Sequence, residues 1–286
     1  MPVPYYKELM VRARVVVGFS LVALLVIVLF FAPNWVLAPG LSLISALAVQ
    51  ELLGATKYIR KKRLIAYSVA IAAAVPIWYY LREPEWSAEV MAAAMLLIMI
   101  LLFAEGMLDP ENMGFEMISV VFVVSLVIPM FFSALIRIVK LPLGSHIIVV
   151  PFICAFGSDT SAFHFGKVFG KHKLAPLISP KKTVEGAIGG ILGTMAMIIL
   201  YGLVMQLGFN MNVNYLFLSL YGLIGSAAAQ LGDLSMSFVK REFGLKDFGA
   251  LLPGHGGIMD RFDSLLFAAP AAELFLLFLP ALSVRI

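Results

Sequence analysis

The sequence predicts an all-α, polytopic transmembrane helical bundle of about nine spans with a cytoplasmic N-terminus. Three observations predict it. Of the 286 residues, 62% are hydrophobic and only 13% charged, against about 25% charged in soluble domains. The charges cluster, leaving apolar runs of roughly 20 residues, the length that crosses a bilayer. Lys and Arg then fall mainly in alternate connections, which orients the chain.

The spans are expected near 14–32, 35–55, 64–81, 88–105, 115–136, 146–163, 184–207, 213–231 and 258–281. The first follows Arg12 and Arg14 and is long for the apolar core of a cleavable signal, so it reads as a true span. Pro76, Pro129 and Pro151 lie inside apolar runs, a break tolerated where neighbours or water satisfy the freed backbone groups. On one face lie Lys7, Arg12 and Arg14, then Lys57, Arg60, Lys61, Lys62 and Arg63, then Lys167, Lys171, Lys173, Lys181 and Lys182, then Lys240, Arg241 and Lys246. The other face holds Arg82, Arg137, Lys140 and Arg285. One connection is out of character: it should be cytoplasmic, yet it carries Glu105, Asp109, Glu111 and Glu116 and no Lys or Arg.

Other classes are excluded. The single cysteine, Cys154, forms no intramolecular disulfide and no cysteine-rich metal site. No Walker A loop or dinucleotide fingerprint is present, and no internal repeat supports an inverted-repeat transporter. The net charge is a modest +4, and no nucleic-acid partner is expected. The chain divides into residues 1–145, a lipid-facing scaffold, and 146–286, which carries nearly all the polar chemistry. Two long cytoplasmic loops, 164–183 and 232–257, belong to the second part.

The most informative segment is 237–263. Lys240, Arg241 and Lys246 are cations at a membrane surface. Gly254, Gly256 and Gly257 permit close backbone approach to a ligand, next to a helix start that favours anions. Asp260 and Asp263 share a helix face in the first turn of an apolar span, where a carboxylate is costly unless paired or cation-bound. Asp233 closes the preceding span on the same side, so Asp233 and Asp260 are expected to share a divalent ion, with Mg²⁺ or Mn²⁺ favoured by hard oxygen ligands. Asp263 is the next candidate ligand. A solvated basic loop with a helix-start Asp is the plainer alternative.

Two further clusters stand out. Asp159 lies among small polar residues near the end of the sixth span, either a metal or nucleotide contact or a packing residue. Ser179, Lys181, Lys182 and Thr183 open the seventh span as candidate phosphate contacts, with Glu185 just inside the helix; a positive-inside anchor is the alternative. His164 and His172 read as loop residues. Gly186, Gly189, Gly190 and Gly193 suit either an internal helix contact or a dimer seam.

Residues 237–263 resemble the signature of the phosphatidate cytidylyltransferase (CDP-diacylglycerol synthase) family. Its fixed positions are filled by Ser237, Lys240, Arg241, Lys246, Asp247, Gly249, Leu252, Pro253, His255, Gly256, Gly257, Asp260, Arg261 and Asp263. The clusters at 159–166 and 179–186 are also similar, with Val184 where an aromatic residue is expected, so the resemblance covers about 146–286. It implies a membrane nucleotidyltransferase of phospholipid biosynthesis: CTP and phosphatidic acid give CDP-diacylglycerol and pyrophosphate, with Mg²⁺ and possibly a second cation. It also implies a homodimer in a bacterial cytoplasmic membrane, with the site facing the cytoplasm.

In that reading Asp233, Asp260 and Asp263 hold metal, and Lys240, Arg241, Lys246, Arg261, Lys181 and Lys182 meet phosphates. His255, Gly256 and Gly257 shape the nucleotide or pyrophosphate pocket, Asp247 orients Lys246 or Arg261, and Ser179, Thr183, Glu185, Asp159 and Ser237 line the substrate site. Two rivals remain. A CTP-dependent lipid kinase would share the cation-rich interface but release CDP. A transporter would carry its acids at mid-span, as only Glu273 does here.

Overall fold

The computed structural model describes residues 23, 26–29, 32–56, 61–81, 87–251 and 256–284. The chain is an all-α polytopic membrane protein. Among the described residues, seven helices are long and apolar enough to cross a membrane: α1 (Asn34–Ala55), α2 (Lys62–Leu81), α3 (Ser87–Leu108, apolar from Met91), α4 (Phe115–Lys140), α5 (Gly144–Phe169), α6 (Val184–Gly208) and α7 (Tyr215–Glu242). An eighth, α8 (Met259–Phe278), is of similar length but carries Asp260, Arg261, Asp263 and Glu273. The expected first span, near 14–32, lies almost wholly outside the described residues, as do Lys7, Arg12, Arg14, Lys57, Arg60, Arg82 and Arg285.

The helices form where the apolar runs lie, but two boundaries differ from expectation. As expected, α4 and α5 continue past Pro129 and Pro151, with π-helical turns nearby at Val123–Val127 and Ile153–Gly157. α5 runs to Phe169, and the expected loop over 164–183 is instead a helix end followed by an antiparallel hairpin, β1 (Lys173–Ala175) with β2 (Ser179–Thr183). α7 continues eleven residues beyond 231 to Glu242, so Ser237, Lys240 and Arg241 are helical, not loop residues. Gly244, at φ +65°, stops it, and Leu245 N–H closes onto the Lys240 carbonyl at 2.7 Å.

The chain forms two compact units. The first comprises Met1–Ile136 and Asp247–Arg261; the second Arg137–Lys246 and Phe262–Ile286. In the first, α1 and α2 pack closely and both meet the middle of α4. The Ser42 hydroxyl donates to the Ala73 carbonyl at 2.6 Å, joining α1 to α2. Ala48, Val49, Leu53, Ala72 and Phe132 are fully buried, whereas Leu96, Leu97, Ile100 and Leu101 on α3 stay exposed, as a lipid-facing surface requires. The acidic connection finds its explanation here. Lys61 pairs with Asp109 at 2.5 Å and Arg63 with Glu105, so the acids are counter-charges to the basic α1–α2 connection. Lys61 also holds the Asp109 carboxyl below its ordinary range.

In the second unit α5, α6 and α7 pack side by side. The glycines of α6 let this happen. A Cβ added to Gly189 would stand 2.3 Å from Phe165, and one on Gly193 2.3 Å from the Ser161 hydroxyl, both on α5. The glycine stripe is therefore an internal helix contact. A second ladder, β3 (Met211–Val213) with β4 (Leu282–Val284), ties the α6–α7 connection to the segment after α8. At α8, Glu273 receives both Arg137 Nε (2.6 Å) and an Arg137 terminal nitrogen (2.7 Å), a bidentate pair that satisfies the deep carboxylate.

Candidate active site

The second unit gathers carboxylates from three helices. Asp159 comes from α5, Asp233 from α7 and Asp263 from α8. The extension of α7 presents Asp233: Gln230, Asp233, Ser237 and Lys240 recur at helical spacing along one face. The Gln230 amide donates to Ser158 Oγ (3.2 Å) on α5 and to the Ala187 carbonyl (3.0 Å) on α6, bolting the three helices together beside the acids.

Each carboxylate has a partner from the protein. Asp159 accepts from the Ser264 hydroxyl at 2.8 Å. Asp233 pairs with Lys182 of β2 and lies 3.4 Å from the Ser237 hydroxyl. Asp263 is buried, accepts the Ser264 N–H at 2.8 Å and lies 3.8 Å from Lys240. Asp233 and Asp159 repel the Asp263 charge while Lys240 attracts it. Lys240 is itself 8% exposed, so the positive charge is held inside rather than solvated.

A cavity of about 340 Å³ opens on this cluster, lined by Asp159, Lys167, Lys181, Lys182, Gln230 and Asp233 with Phe163 and Leu174 as apolar wall. Its size lies within the range of small-ligand sites, about 300–1,000 Å³. Three lysines around two carboxylates suit a polyanion that arrives with a cation. Carboxylate oxygens are the donor type that Mg²⁺ takes. Among the described residues, however, no three His, Cys, Asp or Glu side chains converge tightly enough to hold an ion by themselves. A cation here would need further oxygens, such as those of a phosphate chain.

Several candidate residues support the backbone. Thr183 is the N-cap of α6, its hydroxyl accepting from Gly186 N–H at 3.1 Å. The Glu185 carboxylate accepts the N–H of Lys171 (3.0 Å) and of His172 (3.2 Å) and meets the His172 ring at 2.6 Å, fixing the turn before β1. Arg241 donates to the Ile178 carbonyl (3.2 Å) and the Leu245 carbonyl (2.7 Å), tying the end of α7 to the hairpin. Ser179 opens β2, and Lys246 is exposed just after α7.

The remaining candidates lie in the first unit. Asp260 is 8% exposed and its Oδ2 accepts two backbone N–H groups, from Phe248 (2.9 Å) and Gly257 (3.0 Å). Gly256 adopts φ +82°, and a Cβ there would stand 3.1 Å from that same oxygen. Asp247 and Arg261 are exposed. His255 lies outside the described residues, as do Leu252, Pro253 and Gly254.

Sequence reasoning missed Gln230 and Glu51. Glu51, on α1, accepts the Met259 N–H at 3.0 Å. The signal was available: a lone carboxylate inside the apolar run 35–55 demands a partner.

Comparison with known proteins shows the family. The phosphatidate cytidylyltransferase of Staphylococcus epidermidis is 47% identical over 134 residues, 47% of this chain and 50% of that protein. The phosphatidate cytidylyltransferase of Staphylococcus aureus is 48% identical over 134 residues, with the same coverage. The chain thus spans about half the length of the curated relatives it matches. A model described as the cytidylyltransferase family matches residues 12–279, nearly the whole sequence, and the chain belongs to that family.

Proposed function

We propose that the protein is a phosphatidate cytidylyltransferase, transferring CMP from CTP to phosphatidic acid at the cytoplasmic face of a bacterial membrane. The observation that carries this reading is the lysine-rich, carboxylate-backed cavity of the second unit, in a chain whose relatives are named for that activity. A phosphate oxygen of phosphatidic acid attacks the α-phosphorus of CTP, the bond to the β-phosphate oxygen breaks, and pyrophosphate leaves. The nucleophile is already an anion at neutral pH, so no strong general base is required. The barrier lies in bringing two polyanions together and stabilising the leaving group, which is work for positioning and electrostatics.

Lys167, Lys181 and Lys182 face the cavity and would take the phosphate chain. Lys240, buried beside Asp263, supplies a fixed positive charge that needs no reorganisation as negative charge develops. Asp233 and Asp263, with Asp159, would hold Mg²⁺ once the nucleotide brings further oxygens. A bound Mg²⁺ would polarise the phosphoryl oxygens and neutralise the leaving pyrophosphate. A nucleotide phosphate would compete with Asp233 for Lys182, and the Asp233 carboxylate would then be open to a cation. In the first unit Asp260 fixes the backbone of its own segment through two N–H bonds, from Phe248 and Gly257.

The test is incubation of purified protein with CTP labelled at the α-phosphate, phosphatidic acid and Mg²⁺, followed by lipid extraction. Label in the lipid phase with pyrophosphate released is the expected result. Release of CDP with γ-phosphate on a lipid acceptor would establish a lipid kinase instead. EDTA abolishes turnover if the cation assignment holds.

A further inference from the structure

A second carboxylate-centred arrangement lies in the first unit. The backbone at Phe248, Gly257 and Met259 is held by two acids. Asp260 takes the N–H groups of Phe248 and Gly257. Glu51, 208 residues before its partner, takes that of Met259 at 3.0 Å. The Glu51 carboxylate also lies directly against two glycines of the family-like segment. A Cβ on Gly249 would stand 2.5 Å from Glu51 Oε1, and one on Gly257 2.3 Å from Oε2. Oε1 is buried and makes no hydrogen bond among the described residues. Beside it a cavity of about 370 Å³ is lined by Leu47, Gln50 and Glu51 of α1 and by Phe248, Gly249 and Leu251.

Glycine-rich backbone has no side chains to fix its path and loses more freedom than any other on ordering. Its path must be held from outside, and among the described residues Glu51 and Asp260 do so at Phe248, Gly257 and Met259. We propose that Glu51 is a positioning residue for the signature segment: its carboxylate, set against Gly249 and Gly257, fixes the course of the backbone there and so the orientation of Asp260. This rests on the cytidylyltransferase reading above for its chemistry, though the contact itself does not. It explains why residues 249 and 257 carry no side chain.

The experiment uses the full chain in detergent with two readouts, amide hydrogen exchange over 247–259 and steady-state kinetics. Glu51→Ala is expected to speed exchange at Phe248, Gly257 and Met259. It is also expected to lower kcat/KM for CTP by about 10- to 100-fold, as loss of a supporting partner does, while leaving KM for the lipid where it was. Glu51→Gln keeps an acceptor oxygen and the shape, and recovers most of both. Gly249→Ala, whose methyl would collide with Glu51, is expected to slow turnover less in the Glu51→Ala background than alone. Unchanged exchange in Glu51→Ala overturns the proposal. So does an equal effect of Gly249→Ala in both backgrounds, or a fall in melting temperature that accounts for the whole loss. Should Glu51→Ala not accumulate, Glu51→Asp withdraws the carboxylate by one methylene and runs the same comparison. If the wild-type protein makes no CDP-diacylglycerol, the functional reading fails, and exchange alone still decides whether Glu51 holds the segment.

Discussion

Thr183 and Asp233 are neighbours of the same cavity, yet they should fail in different ways. Thr183 spends its hydroxyl on capping α6, so Thr183→Ala should cost about 1 kcal/mol of stability. KM for CTP should barely move, measured by thermal melting beside kinetics. Asp233 has a charge to offer, and Asp233→Asn should cut kcat by about 100-fold or more without lowering the melting temperature. An unaltered kcat would remove Asp233 from cation binding. Asp260→Asn should abolish turnover and leave folded protein in the membrane; near-normal activity of the purified variant would strip it of its assignment. Side-chain type was legible at these positions because acids beside apolar runs are too costly to be idle. Which oxygen meets which N–H was not, since those partners come from residues far apart in sequence, as Glu51 and Met259 show.

At the level of helices, the apolar runs predicted where α1 to α7 begin to within a few residues, because about 20 apolar residues in a row have few alternatives. The expected ends failed where polar residues stayed helical. Asp233 to Arg241 looks like loop by hydropathy, but its spacing keeps one face against neighbouring helices. The hairpin at 173–183 was illegible, being short, polar and held by Arg241 and Glu185 from outside itself. The small-residue seam between α5 and α6 is open to a direct check. Gly193→Leu would drive a side chain into Ser161 and should destabilise by about 1–3 kcal/mol, read as a lowered melting temperature. Melting unchanged from wild type would mean the two helices separate readily. In the first unit the Lys61–Asp109 pair lowers the carboxyl from its ordinary value of 3.8. A depressed pKa stabilises the fold above the ordinary value and is lost as pH falls through the lowered one. Lys61→Met should therefore flatten the pH dependence of melting on the acid side, with no change in its slope near neutrality.

Across the molecule, membrane character follows from composition alone, and the protein should remain in the pellet after carbonate washing and leave it only with detergent. The ion pair between Arg137 and Glu273 was not foreseen, because two charges 136 residues apart give no pattern along the chain. The pairing of β3 with β4 has a practical reach. Asn212 sits opposite Ser283 in that ladder, while the hairpin bearing Lys182 joins the other end of α6, a 25-residue helix about 37 Å long at 1.5 Å per residue. Cysteines engineered at 212 and 283 must then share one aqueous compartment, and one at 181 must report the opposite one. The sole native thiol, Cys154, is buried and would stay silent to an impermeant maleimide, so the wild-type sequence already serves as the blank for such accessibility mapping.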